Sequence, residues 1–188
     1  MSGMGDAAFS PIRAAVVTAS DKASAGVRED SSGPTLVELL KELGAEVAPA
    51  YVVPDEQAQL EILLASLADS GEMDVVLTTG GTGLAPRDRT PEATMAVADR
   101  LVPGLPEAMR AASLAVTPHA MLSRAVAVVR KRTLIVNMPG SPKACREHFA
   151  VVAPALAHAV ETLRGEAYEC ATGVAVDGSG AGDSGAGV

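Results

Sequence analysis

Apolar and polar positions along the chain change period repeatedly, and the changes divide it into alternating strands and one-sided helices. Ile12–Thr18 is a short apolar run that predicts a buried strand. Leu36, Leu39, Leu40 and Leu43 then recur at helical spacing, behind Pro34 at a helix start and before Gly44 as a stop. Glu46–Val53 predicts a second strand. Asp55 is placed to cap a helix whose stripe is Leu60, Leu63, Leu64 and Leu67. Met73–Thr79 is a third strand, apolar up to its terminal threonines, as a sheet covered on both faces requires. The second half alternates less simply. Thr90–Pro91–Glu92 and Pro106–Glu107 each start a helix, the latter carrying Leu105, Met109, Ala112 and Val116 inward. Ala125–Val129 and Thr133–Asn137 flank the charged turn Arg130–Arg132, read as solvated, and suggest a hairpin, with two parallel strands as the alternative. Phe149, Val152, Leu156, Val160 and Leu163 share one side of the terminal helical stretch, which Pro154 is expected to bend or divide.

This order predicts a three-layer α/β/α domain with a mostly parallel central sheet, spanning residues 12–168. Residues 1–11 read as a loose leader. The stretch 173–188 contains six glycines and no side chain larger than valine, so it is expected to be a disordered tail.

Composition narrows the function. Among 188 residues, 15 basic and 23 acidic side chains give a formal charge of -8, with no tryptophan. A broad nucleic-acid surface is therefore not expected, since backbone binding needs a clustered positive field. No secretory signal and no apolar run of about 18 residues is present, which predicts a cytoplasmic protein without a membrane span. Cys145 and Cys170 lack a CxxC arrangement, and the three histidines lack ligand spacing, so zinc is not expected.

The candidate chemistry lies in turns that follow strands. Thr79-Gly80-Gly81-Thr82-Gly83 has three glycines in four positions, which let a backbone turn tightly and present consecutive N–H groups to an anion. It is not a phosphate loop of the Lys-Ser/Thr type, and a purely structural turn is the competing reading. Asn137-Met138-Pro139-Gly140-Ser141-Pro142 is a second such turn, with a helix start behind Ser141. A third follows the first strand and contains Ser20, Asp21, Ser24, Gly26 and Asp30, with Lys22 as a local cation. Asp88 and Asp55 are expected at the same sheet edge. Each can be a cap or an ion-pair partner, or together they can hold Mg2+ against phosphate oxygens. Ser123 and Arg124 precede the hairpin, where Arg124 can meet phosphate or face solvent. Cys145 reads as a packing residue.

Five segments, SDKASAGVREDSSG (20–33), VPDEQ (53–57), TTGGTGLAPRDRTPEAT (78–94), VPGLPEAMR (102–110) and MLSRAVAVVRKRTLIVNMPGSPKA (121–144), occur in an order that resembles the Mog/MoaB family of molybdenum-cofactor biosynthesis, on its molybdopterin adenylyltransferase side. The resemblance covers about residues 12–165. It implies molybdopterin and ATP as substrates with Mg2+, transfer of AMP to the terminal phosphate of molybdopterin, and release of pyrophosphate. It also implies a homotrimer, with hexamers among close relatives, and a molybdenum-insertion enzyme as a downstream partner. The family's acidic residues match Asp55 and Asp88. Its ligand turns match Thr79–Gly83 and Asn137–Ser141, and Ser141 stands where the family also uses other polar residues. A MoaB-like branch that binds pterin or nucleotide without adenylyl transfer, and a related nucleotide pyrophosphatase, are the competing functions.

Overall fold

The computed structural model describes residues 10–165. The expected leader at residues 1–9, the last three residues of the domain and the Gly-rich tail lie outside the described residues. Ser10 and Pro11, assigned to the leader, are tied down: their carbonyls accept from Arg164 at 3.0 and 2.9 Å.

The elements in chain order are β1 (Arg13–Ala19), α1 (Asp21–Ser24), α2 (Ser32–Glu42), β2 (Glu46–Val47), β3 (Tyr51–Val53), α3 (Gln57–Asp69), β4 (Val75–Thr79), α4 (Thr90–Ala96), β5 (Arg100–Leu101), α5 (Gly104–Leu114), a 3-10 turn (Pro118–Leu122), β6 (Ala127–Arg130), β7 (Thr133–Met138) and α6 (Pro142–Arg164). They form one sheet of order β2-β1-β4-β7-β6-β5, with β3 also pairing to β1. The contacts among β1, β2, β3, β4 and β7 are parallel, and only the β5–β6–β7 edge is antiparallel.

Period-two alternation creates the three layers. Ala14 and Val16 of β1 face one cluster with Leu36 and Leu40 of α2, Met109 of α5 and Phe149, Val152 and Leu156 of α6. Ala15 and Val17 face the other, with Leu60 and Leu64 of α3 and Ala93 of α4. The three-layer α/β/α architecture predicted from the pattern is therefore the one observed.

Four local expectations are corrected. The run 46–53 is two short strands, because Pro49 between them has no N–H for a continuous ladder. Ala112 and Val116 do not face inward: α5 ends at Leu114, and Val116 is 73% exposed. Pro154 does not divide the terminal helix, which runs unbroken for 23 residues. Pro154 and Ala150, whose carbonyl loses its donor, are both exposed, so water can satisfy that carbonyl while the opposite side stays packed. The basic turn after β6 is more than a solvated loop, since Arg130 donates twice to Asp69, at 2.9 and 2.7 Å.

Candidate active site

The parallel strands β1, β4 and β7 carry their turns to one sheet edge. Past β4, Gly80 and Gly81 adopt φ of +90° and +64°, a region that side chains with a Cβ disfavour. A Cβ on Gly80 would overlap the Ala19 carbonyl, and one on Gly81 would overlap Thr90 Oγ1. Past β7, a Cβ on Gly140 would stand 3.3 Å from Gly80 Cα, so the two turns abut. The backbone N–H groups of Gly81 and Gly140 have no acceptor among the described residues, while that of Gly80 continues the β4–β7 pairing onto Met138. Such unspent donors beside the N-terminus of α6, which Ser141 caps by accepting from Ala144 N at 3.3 Å, favour an anion.

These turns line a cleft of about 450 Å³ together with Thr18, Ser20, Arg28, Asp30, Ser31, Ser32, Asp55 and Asp88. Its charged lining is Arg28 against Glu29, Asp30, Asp55 and Asp88. Asp30 is already committed: its carboxylate accepts from Ser32 N and Gly33 N at 3.0 and 3.1 Å, capping α2, and from Thr18 Oγ1 at 2.6 Å. A Cβ on Gly33 would collide with that pair, which explains the glycine.

Asp55 does not cap α3. It lies before Glu56, the capping position, and exchanges bonds with Asp21 instead. Its Oδ2 accepts from Asp21 N at 2.9 Å, and its own N–H donates to Asp21 Oδ1 at 3.0 Å. Burial pushes the Asp55 carboxyl above the usual carboxylate range, and the like charges of Asp21 and Asp88 push the same way. Asp88 closes its own turn, accepting from Ala85 N at 2.9 Å, while its neighbour Arg87 reaches away to Asp21 and Glu56. Each acid therefore has one oxygen engaged by backbone. Asp55 Oδ1 and Asp88 Oδ1 accept no hydrogen bond among the described residues and are the cleft's unspent anionic ligands. Thr90 Oγ1, buried without a partner, lies beside Gly81 and Asp55. Among the described residues no group of three or more His, Cys, Asp or Glu forms a protein cage for a metal. A pair of carboxylates completed by phosphate and water could hold a Mg2+ ion, whose charge would offset the like charges that add to burial in raising Asp55.

A second cavity, about 470 Å³, opens at the opposite sheet end among Arg13, Asp74, Lys131, Arg132 and Arg164. Its size is comparable, yet Asp74 at its centre is saturated by Arg13 and Arg164. The strand-end cleft has the unspent groups and is the better candidate.

The profile of the family described as "Probable molybdopterin binding domain" matches residues 15–158. The chain belongs to the molybdopterin-binding MoaB/Mog family. It is 43% identical over 156 residues to a molybdopterin adenylyltransferase of Helicobacter pylori, covering 82% of this chain and 89% of the relative. It is 49% identical over 140 residues to that of Escherichia coli K12, covering 72% and 71%. The crystal structure of the molybdopterin biosynthesis enzyme MoaB from Thermus thermophilus superposes with a TM-score of 0.77 at 49% identity, covering 82% of this chain and 97% of that one.

Against this MoaB/Mog frame, the residues expected from sequence fall into two groups. Ser20, Asp30, Gly80, Gly81, Gly140, Ser141, Asp55 and Asp88 line the cleft. The others stand behind or beside it. Thr79 and Asn137 are wholly buried; Thr79 Oγ1 donates to the Pro139 carbonyl at 2.7 Å, and Asn137 donates to Thr78 and Thr94. They shape the turns. Pro139 also accepts from Cys145 Sγ at 3.0 Å. Burial pushes the Cys145 thiol up to about 11, in keeping with packing rather than attack. Asp21 is held by Arg87, the Ser24 hydroxyl donates to the Asp21 carbonyl at 3.1 Å, and Gly26 closes the α1 turn at φ +69°. Thr82 and Gly83 present their carbonyls to Arg124, whose guanidinium is thereby turned away from the cleft; Ser123 ends the 3-10 turn. Thr18, Ser31 and Ser32, which also line the cleft, belong to the hydroxyl-rich third turn read from the sequence, whereas Arg28 was passed over. Arg28, rather than the exposed Lys22, is the cation in the lining. Its signal was present: a basic residue inside the 20–33 segment, after the turn glycine.

Proposed function

We propose that this chain is a molybdopterin adenylyltransferase, moving AMP from Mg-ATP to the terminal phosphate of molybdopterin and releasing pyrophosphate. The observation that carries the reading is the meeting of two glycine turns with unspent N–H groups and two half-free carboxylates, Asp55 and Asp88, at one sheet edge. Relatives of 43% and 49% identity that carry this name support it.

The reaction asks little covalent chemistry of the protein. A pterin phosphate, with a second pKa of about 6, is already an oxygen nucleophile at neutral pH. One of its oxygens bonds to the α-phosphorus of ATP as the bond from that phosphorus to the bridging oxygen breaks. The electron pair leaves on pyrophosphate. The N–H groups of Gly81 and Gly140 and the α6 terminus hold phosphate oxygens, and Arg28 offsets charge from the Ser20 side. Asp55 and Asp88 would hold Mg2+, which supplies charge neutralisation to the phosphates when bound. The inert Cys145 and the absence of a serine–histidine pair in the cleft lining agree with direct attack by substrate phosphate.

The functional assembly in this proposal is a homotrimer, or a hexamer of related contacts, and the product passes to a molybdenum-insertion enzyme. Exposed Leu114, Val116, Met121 and Leu122, on the end of α5 and the segment after it, supply apolar surface for self-association, which sedimentation equilibrium would measure. Among the described residues no helix is long and apolar enough to cross a membrane.

The deciding assay quantifies pyrophosphate with ATP, molybdopterin and Mg2+ omitted in turn, alongside detection of adenylylated pterin. Release only with all three present is expected. Pterin-independent release would indicate nucleotide hydrolysis, and binding of both ligands without product would indicate the MoaB-like alternative.

A further inference from the structure

Arg124 is the side chain whose position departs most from a phosphate-binding role. Its Nε donates to the Gly83 carbonyl at 2.6 Å and its Nη2 to the Asp88 carbonyl at 2.6 Å, while Nη1 pairs with Glu92. Its backbone N–H donates to Thr82 O at 3.0 Å. Gly83 and Asp88 are the two ends of the exposed loop tip Leu84–Arg87, so one guanidinium clips the tip at both ends. The tip is also closed on itself: Asp88 N donates to Ala85 O, and the Asp88 carboxylate accepts from Ala85 N, each at 2.9 Å.

The clip has a fixed base. Arg110 Nη1 on α5 donates to the Ala125 carbonyl at 3.0 Å, and Val126 N donates to Asn137 Oδ1 of β7 at 3.2 Å. Arg110 Nη1 also donates to the Ser123 carbonyl at 3.5 Å, so residues on both sides of Arg124 are anchored. Asp88 also lines a separate surface depression with Arg124 and Glu92, neither of which lines the cleft. Arg124 therefore holds Asp88 from outside the cleft.

We propose that Arg124, oriented by Glu92, is a positioning residue that sets where the loop 80–90 places the Asp88 carboxylate, and does not touch substrate. The functional half of this inference rests on the adenylyl-transfer reading; the mechanical half does not. A planar guanidinium with donors in three fixed directions is needed, because the acceptors are two carbonyls and a carboxylate spread around it. A lysine offers one point charge and cannot meet all three.

The test has two arms. Amide hydrogen exchange on the ligand-free chain should show residues 82–89 opening about 10-fold faster or more in Arg124→Ala, with β1, β4 and β7 unchanged. In steady-state assays kcat should fall about 10–100-fold, the scale expected when a reacting group is misplaced by about 1 Å, while KM for ATP and molybdopterin changes less than about 3-fold. Arg124→Lys should fail to rescue, Glu92→Gln should be intermediate, and added guanidinium ion should recover part of kcat in Arg124→Ala only. A raised KM for either substrate with kcat and exchange unchanged would make Arg124 a substrate contact and overturn the proposal. So would unchanged loop exchange in both Arg124→Lys and Glu92→Gln, the variants that decide if Arg124→Ala does not fold. Wild-type protein that makes no adenylylated pterin would instead overturn the proposed function, leaving the exchange arm to judge the clip.

Discussion

At the N-terminal ends of β1 and β4, Asp74 accepts from Arg13 N, Nε and Nη2 and from Arg164 Nε and Nη2, over distances of 2.7–3.2 Å. At the C-terminal ends of the same strands, Asp55 receives one backbone N–H on a carboxylate oxygen and faces Asp21 and Asp88. Burial would raise Asp74 as it raises Asp55, but the bonds from Arg13 and Arg164 hold Asp74 well below the carboxylate range. One end of the sheet spends its charges on holding β1, β4, α6 and residues 10–11 together. The other leaves charge and N–H groups unspent, which costs stability and creates a ligand site.

If the unspent oxygens are the function, their removal gives the largest effect. Asp88→Asn should lower adenylyl transfer by about 10²–10⁴-fold, the range for losing preorganised electrostatic stabilisation. Asp55→Asn should do the same. Stability in both should stay within about 1 kcal/mol of wild type, since asparagine still accepts the N–H of Ala85 or Asp21. Asp55→Asn also removes a like charge, so its thermal midpoint should hold or rise. Turnover near normal at saturating Mg2+ and ATP would remove the residue from the mechanism.

The opposite end should show the opposite signature. Asp74→Ala removes the carboxylate that Arg13 shares with Arg164, a side chain 9% exposed that keeps its bonds to the Ser10 and Pro11 carbonyls. Breaking a buried pair in this way costs about 3–5 kcal/mol. Denaturant titration should read that loss, whereas kcat measured well below the melting transition should be unchanged. A large fall in kcat without loss of stability would erase the distinction between the two ends.

Gly81→Val probes the boundary between turn and ligand site. Positive φ for a β-branched residue costs about 1–3 kcal/mol, and the new Cβ must displace Thr90 Oγ1. Turnover should fall by more than that destabilisation accounts for, because moving Gly81 moves its free N–H. Gly81→Ala, sharing the strain with less bulk, should fall between Val and wild type in both assays. Loss of stability with turnover per folded molecule intact would reduce Gly81 to a structural turn.

How much of this was legible beforehand follows from what each signal depends on. Gly80, Gly81 and Gly140 announced themselves because sharp turns after strands need glycine, and the layer order followed from period-two and helical stripes. The acids were found, but Asp55 was given a local cap because local rules reward an acid before a helix; its partner, Asp21, lies 34 residues away. Arg124 was misplaced for the same reason. A basic residue near candidate phosphate turns suggests a phosphate contact, and only the fold brings Gly83 and Asp88 to its guanidinium. Val116 failed because helical periodicity gives no end to α5. Long-range pairing is what a linear pattern lacks.

The smallest expected effect comes from pH, and it separates the two ends within one unmodified protein. Asp74 has a folded pKa depressed below its unfolded value, so its contribution is fully present above about pH 4 and fades only as pH falls toward the folded value. Asp55 has the opposite sign: its raised pKa means that protonation begins at higher pH than for an ordinary aspartate, removing an anionic ligand first. Above about pH 4, where the Asp74 contribution to stability stays whole, kcat should therefore begin to decline as pH falls. One modest stability loss is expected in that window from His148. Burial lowers its pKa in the fold, with Nε2 on Ser113 Oγ at 2.6 Å and Nδ1 unpartnered. Below its ordinary value of about 6.5 the unfolded chain takes up a proton that the native state refuses, so stability falls with pH. His148→Asn should remove that decline and leave the pH profile of kcat unchanged. Parallel profiles of kcat and thermal midpoint over the same range, persisting in His148→Asn, would show that acid loss of activity is unfolding and not the titration of Asp55.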